Sequence, residues 1–169
     1  MSEWIRLTNE LKLRSPMEYF TPSQMKVYQC LMDVFHWQGQ RANLVGVTGS
    51  GKTFVAWALA RSFDGKYISH PDDVASFNER NIPLLVIDSA PHYEDQLRRL
   101  IAQAGLLGAE RTLFITQKPS QLRMQSFELA LPTPEDVSHV QRTLKSFNGW
   151  QSNPLADVPT LWDILQSFV

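Results

Sequence analysis

Glycines, a lysine and a threonine stand at fixed spacing between positions 46 and 53, and this spacing could bind phosphate. The stretch reads GVTGSGKT, which fits the pattern G-x-x-x-x-G-K-[ST] at every fixed position. We expect Gly46, Gly49 and Gly51 to take positive φ and let main-chain N–H groups converge on a polyphosphate. Lys52 would reach the β- and γ-phosphates, and the Thr53 hydroxyl would bind Mg²⁺. The loop residues predicted to hold a nucleotide are Gly46, Thr48, Gly49, Ser50, Gly51, Lys52 and Thr53.

The segments on either side of this loop provide the setting that a phosphate site requires. Residues 42–45 form a short apolar run that indicates a buried strand, and residues 54–63 are typical of a helix. A loop between strand and helix places a bound anion at the positive end of the helix dipole. The sequence therefore predicts an NTP·Mg²⁺ site at this turn.

A second candidate for metal binding is Asp88, which ends the apolar run 83–87. Such a continuous run predicts a strand buried on both faces. Its carboxyl end would lie at the sheet edge where open α/β sheets bind ligands, so Asp88 would hold Mg²⁺, through water. Many ATPases with such a phosphate loop place a glutamate directly after this aspartate to activate the attacking water. In this chain, Ser89 occupies that position. We therefore expect slow hydrolysis, or a water positioned by another group or by a partner.

The polar end of a further strand could also contact a bound nucleotide. Residues 111–116 predict another buried strand. If this strand lies between the loop strand and the Asp88 strand, Thr116 or Gln117 would approach the γ-phosphate. Either side chain could then sense the γ-phosphate or orient the attacking water.

Gln24 has two interpretations. Helicases often carry a glutamine upstream of the phosphate loop whose amide reads the adenine edge, and Gln24 precedes Gly46 by 22 positions. Tyr19 or Phe20 could then stack on the base. Thr21 and Gln24 also have the form of a capping box around a helix that runs to about residue 37, which explains Gln24 without a ligand.

Composition and length limit the classes of function. The chain has 169 residues, the size of one domain, with a net charge of −1 that gives no global attraction to nucleic acid. Its one cysteine, Cys30, excludes an internal disulfide framework. No apolar run approaches the roughly 20 residues of a membrane span. The N-terminus lacks the features of a signal peptide, so we expect a cytoplasmic protein without membrane contact.

The order of these parts resembles the AAA+ ATPases, and the resemblance spans roughly residues 40–147. Residues 112–119 are similar to the sensor strand and loop of compact replication-initiator-like regulators and helicase loaders, and residues 127–132 are similar to their last strand. The resemblance implies ATP and Mg²⁺ as cofactors. It also implies self-assembly or assembly with a protein partner.

The chain departs from the AAA+ pattern at several positions. The glutamate after Asp88 is missing, so the second motif is degenerate. The segment between Gln117 and Phe127 is too short for the usual helix that carries an arginine finger, and Arg123 is the only arginine in it. We therefore take Arg123 as the finger candidate. The catalytic candidates are Lys52, Asp88, Gln117 and Arg123; the metal ligands are Thr53 and Asp88; and Gln24 and Tyr19 are candidates for binding the base.

We predict a three-layer α/β domain with a five-stranded, mainly parallel sheet and a small C-terminal helical lid. An N-terminal arm would cover residues 1–20, the ATPase core 21–147 and a truncated helical lid 148–169. The predicted function is an ATP·Mg²⁺ switch with slow or partner-stimulated hydrolysis, which controls assembly with itself, a replication or recombination protein, or DNA. The alternatives are a helicase-like motor subunit, a nucleotide-bound scaffold without turnover and, ranked last, a small kinase.

Overall fold

A computed structural model describes residues 20–148 and residue 160, and five parallel strands form its sheet. The strands are β1 (Arg41–Val45), β2 (Lys66–Ile68), β3 (Leu85–Ile87), β4 (Thr112–Thr116) and β5 (Gln125–Glu128). Their spatial order is β2-β3-β4-β1-β5, and every neighbouring pair is parallel. The predicted sheet is therefore confirmed. The last strand begins and ends earlier than the predicted 127–131.

Helices cover both faces of this sheet. They are α1 (Pro22–Asp33), α2 (Lys52–Ser62), α3 (Glu94–Leu106) and α4 (Pro134–Asn148), with a π-helical segment at Val34–Gln38 and a 3-10 helix at Pro71–Ser76. No helix in the described ranges is both long and apolar enough to cross a membrane. The predicted arm and lid lie outside the described residues, apart from their residues 20, 148 and 160.

Alternation along the strands divides the core into two clusters. In β3 and the residue before it, Leu84 and Val86 pack with α1 and α2, whereas Leu85 and Ile87 pack with α3. Successive strand residues point to opposite faces, so a strand apolar at every position fills both clusters. This arrangement gives the three layers of the predicted α/β fold.

The start of α1 shows the predicted capping box. The Thr21 side chain accepts a hydrogen bond from the Gln24 N–H at 3.1 Å, and the Gln24 Oε1 accepts one from the Thr21 N–H at 3.0 Å. Pro22 stands in the first turn, where its missing N–H has no helical partner to lose. This local pattern fixes where α1 begins.

One buried carboxylate joins the starts of α1 and α4. Asp136, which is 1% exposed, accepts hydrogen bonds from the Ser23 N–H (3.0 Å), the Ser23 hydroxyl (2.7 Å) and the Thr133 N–H (2.9 Å). Burial acts to raise the pKa of Asp136, but the hydrogen bonds from Ser23 and Thr133 outweigh it and hold that pKa below its usual value. Asp136 therefore caps two helices that are far apart in sequence.

Asp136→Ala should lower the free energy of unfolding by about 2 kcal/mol at neutral pH, because the donors of Ser23 and Thr133 lose their acceptor. The folded-state pKa is depressed, so this stabilisation is fully present above the unfolded pKa and is lost as pH falls through the folded pKa. The difference in urea stability between wild type and Asp136→Ala should therefore begin to shrink below about pH 4 and reach its minimum only below the depressed folded-state pKa. Glu135→Ala, in the same first turn but exposed, is the matched control. Equal stability of Asp136→Ala and this control would contradict the assignment.

Candidate functional site

The glycine-rich loop lies at the carboxyl edge of the sheet, between a central strand and the helix that follows it. β1 pairs with β4 on one side and β5 on the other, and residues 46–51 connect its end to α2. The Gly46 N–H donates to the Thr116 carbonyl at 3.2 Å, which attaches the start of the loop to β4. The predicted strand–turn–helix setting is therefore present, with the loop at the sheet edge where α/β proteins bind ligands.

Two of the three loop glycines have the predicted backbone conformation. Gly49 and Gly51 have φ of 83° and 90°, in the left-handed region that favours glycine. The prediction of positive φ at Gly46 is wrong, because among the described residues the positive-φ glycines are 49, 51 and 108. Space explains this position instead: a Cβ on Gly46 would lie 2.4 Å from the Leu129 carbonyl oxygen.

Lys52 folds back over the loop that precedes it. Its Nζ donates to the Gly46 carbonyl at 2.6 Å and to the Val47 carbonyl at 2.8 Å, and lies 3.5 Å from Ser50 Oγ. Burial lowers the pKa of Lys52, and the nearby Asp88 charge opposes that shift. The ammonium is thus held by neutral carbonyl groups, and a phosphate would offer it stronger, charged acceptors.

Thr53 and Asp88, the predicted metal ligands, meet at the start of α2. The Thr53 hydroxyl donates to Asp88 Oδ2 at 3.3 Å, and the Ser89 N–H donates to Oδ1 at 2.6 Å. Ser89 has a φ of 53°, which turns its backbone towards the carboxylate. A hydroxyl and a carboxylate are oxygen ligands of the kind that Mg²⁺ prefers, so the residues present fit this ion.

Tyr67 is a third partner of Asp88 that the sequence analysis missed. Its hydroxyl donates to Asp88 Oδ2, and its ring packs edge-on against Trp57 with centroids 6.1 Å apart. Burial and the bond to Asp88 raise the pKa of Tyr67, so the phenol stays protonated and remains a donor. The only sequence signal was a tyrosine in the strand that precedes the Asp88 strand.

Gln117, the residue directly after β4, contacts the loop. β4 lies between β1 and β3, as the prediction required, and Gln117 Nε2 donates to Thr48 Oγ1 at 3.1 Å. Thr116 instead points into the protein, where its hydroxyl accepts from Asn43 Nδ2 at 2.9 Å and donates to the Lys118 carbonyl at 2.7 Å. Of the two candidates, Gln117 is therefore the one placed to contact a ligand at the loop.

Two of the three base-binding candidates, Gln24 and Phe20, are buried. Gln24 is 3% exposed, and besides its capping bonds its Nε2 donates to the Gly51 carbonyl at 3.2 Å. Phe20 is 4% exposed and packs edge-on against Tyr28 in the core. Tyr19 lies outside the described residues. Reading of adenine by Gln24 therefore stays a prediction, while the capping role is observed.

Two residues remain to be placed, Arg123 and Thr160. Arg123, the finger candidate, lies exposed in the segment before β5. Thr160 approaches the loop from the C-terminal segment, because a Cβ on Gly49 would lie 2.8 Å from Thr160 Cβ. Thr160 carried no motif, so the sequence alone gave no sign of this approach.

No protein-family model matches the sequence, and no curated protein matches it either. Solved structures do match it in three dimensions. A variant of RuvB from Thermotoga maritima is 16% identical with a TM-score of 0.56, over 80% of this chain and 54% of that one. A DNA replication initiation factor is 16% identical with a TM-score of 0.51, over 76% of this chain and 53% of that one. The Thermotoga maritima RuvB Holliday junction branch migration motor is 14% identical with a TM-score of 0.50, over 76% of this chain and 51% of that one.

These similarities show that the chain has the fold of the AAA+ P-loop ATPases. At this level of sequence identity they show the fold alone. The chain spans about half the length of the solved structures that it matches.

Proposed function

We propose that this protein is an ATP·Mg²⁺-binding switch, with slow or partner-stimulated hydrolysis, whose nucleotide state controls its assembly with a partner. The observation that carries the proposal is that a group suited to bind phosphate lies next to a pair of groups suited to bind a metal ion. Lys52 Nζ is held among the loop carbonyls, and directly beside it the Thr53 hydroxyl contacts the Asp88 carboxylate at 3.3 Å. One half fits a polyphosphate and the other fits its metal ion.

Each residue of the loop has a defined task in this proposal. The left-handed backbone at Gly49 and Gly51 turns main-chain N–H groups towards a β-phosphate at the start of α2. Lys52 exchanges the carbonyls of Gly46 and Val47 for phosphate oxygens. Thr53 and Asp88 would hold Mg²⁺, which when bound neutralises charge on the β- and γ-phosphates.

Slow turnover follows from the side chains near the γ-phosphate. Ser89 replaces the expected glutamate and uses its N–H to fix Asp88. Gln117 can orient a water through its amide, but an amide does not accept a proton as a carboxylate does. Hydrolysis would therefore depend on positioning and charge alone unless a partner supplies a base or a cation.

The fold supports a role in replication or recombination. The matched structures include a DNA replication initiation factor and a Holliday junction branch migration motor. We propose an assembly of this kind in the cytoplasm, with copies of the chain, another protein or DNA as partner. The helicase-like alternative rests on the T-G-S-G-K-T form of the loop and on Gln24, whose amide already has protein partners on both polar atoms.

Calorimetric titration tests the proposal. We expect ATP to bind with a dissociation constant between about 1 μM and 1 mM when Mg²⁺ is present, and more weakly after chelation. Turnover by the protein alone should stay below about 1 s⁻¹, and ATP should change the mass measured by light scattering. Absence of binding at millimolar ATP would refute the proposal. Rapid turnover without a partner would leave the site intact but contradict the switch.

A further inference from the structure

The hydroxyl of Tyr67 shares an acceptor with the hydroxyl of Thr53. Both donate to Asp88 Oδ2, while the Ser89 N–H holds Oδ1. The carboxylate of Asp88 is thus held from three sides by groups that come from β2, from α2 and from the turn after β3. Its orientation is therefore fixed before any ligand arrives.

Strand pairing explains how Tyr67 reaches this position. β2 lies at the sheet edge beside β3 and pairs Tyr67 with Val86, two residues before Asp88. The side chain spans that distance along the face covered by α2, where Tyr67 packs with the same core cluster as Val86. Its ring contacts Trp57 of α2. The ring is anchored by apolar packing, so the hydroxyl is delivered to Asp88 at a fixed point.

We infer that Tyr67 is a positioning residue for Mg²⁺, which acts through Asp88. The inference rests on the proposed function, since it takes Asp88 as a metal-binding group. Partners that hydrogen-bond a metal-binding carboxylate set its orientation, and their loss typically weakens metal binding by 10–100-fold. The Thr53 hydroxyl can turn a lone pair to the ion while it still donates its proton in the hydrogen bond to Asp88 Oδ2. Tyr67 keeps the Asp88 carboxylate in place while Thr53 binds the ion.

Tyr67→Phe tests the inference because it removes the hydroxyl and keeps the ring against Trp57. ATP binding is measured by calorimetry at increasing Mg²⁺. We expect the half-saturating Mg²⁺ concentration to rise about tenfold, while ATP affinity after chelation stays unchanged. Tyr28→Phe is the matched control, since the hydroxyl of Tyr28 on α1 is hydrogen-bonded to Ser62 Oγ at 2.8 Å, at the opposite end of α2 from Thr53. This control should show no change in Mg²⁺ dependence.

A double-mutant cycle separates positioning from general stability. If the hydroxyl acts through Asp88, Tyr67→Phe should have no further effect on Mg²⁺ dependence in an Asp88→Asn background. An unchanged Mg²⁺ dependence in Tyr67→Phe would overturn the inference and leave ATP binding intact. An equal loss of ATP affinity with and without Mg²⁺ would also overturn it, because that pattern marks a structural role. If the wild type binds no ATP, the proposed function falls, and the inference falls with it.

Discussion

Lys52→Ala should reduce ATP affinity and any hydrolysis by at least about 100-fold, the loss typical of removing one preorganised charge-stabilising donor. Lys52 supplies the only cation that contacts the loop carbonyls among the described residues, with Nζ at 2.6 Å from the Gly46 oxygen and 2.8 Å from the Val47 oxygen. Partial burial makes its interaction with a phosphate stronger than that of an exposed lysine. Titration calorimetry with ATP and Mg²⁺ measures the affinity, and phosphate release measures the rate.

Two companion variants sharpen this experiment. Lys52→Arg keeps the charge, but its planar guanidinium does not match the compact space between the Gly46 and Val47 carbonyls, so we expect most of the loss to remain. Lys66→Ala removes a lysine paired with Glu79 at 2.9 Å and should bind ATP as the wild type does. Thermal unfolding checks that all three variants are folded. Wild-type ATP affinity in folded Lys52→Ala would refute the assignment of this loop.

Gly46→Ala should have the largest effect on folding, with a loss of about 3 kcal/mol in the free energy of unfolding. The new Cβ would lie 2.4 Å from the Leu129 carbonyl oxygen and 2.8 Å from Ser50 Oγ. The serine could rotate, but the carbonyl belongs to the backbone, which is held by the bond from the Leu129 N–H to the Val45 oxygen at 2.8 Å. The backbone at Leu129 must therefore move away from Gly46, or the phosphate loop must shift. Urea unfolding measures the change.

Gly105→Ala is the matched control for this substitution. A Cβ on Gly105 would meet no atom within 4 Å, and the residue lies within α3. Alanine favours helix over glycine by up to about 1 kcal/mol, so this variant should be as stable as the wild type or more stable. If Gly46→Ala matched the stability of Gly105→Ala, the close approach of Gly46 and Leu129 would be contradicted.

The parts of the molecule that the sequence could predict are those fixed by short-range patterns. The phosphate loop, the apolar strand before Asp88 and the capping box of Thr21 and Gln24 each depend on residues a few positions apart, and the fold that they imply is confirmed. The predicted last strand begins and ends later than the observed one, because the apolar alternation extends to Leu129 and Leu131. Its pairing with β1 instead begins at Gln125.

The missed features depend on contacts between distant segments. Tyr67 reaches Asp88 only because β2 pairs with β3, an order that no local pattern encodes. Gly46 is required by the backbone near Leu129, which follows it by more than eighty positions. Thr160 approaches Gly49 from a part of the chain without any motif. Such constraints become visible only when the packing is known.

Asp136 accepts hydrogen bonds at the starts of two helices, α1 and α4. α4 and α1 cannot move apart without removing the acceptor of the Ser23 N–H and of the Ser23 hydroxyl, whereas the bond from the Thr133 N–H to Asp136 lies within the start of α4. Gln24, the residue after Ser23 in α1, donates a hydrogen bond to the carbonyl of Gly51, where the phosphate loop ends and α2 begins. The start of α4 is therefore connected, through two adjacent residues of α1, to the end of the phosphate loop.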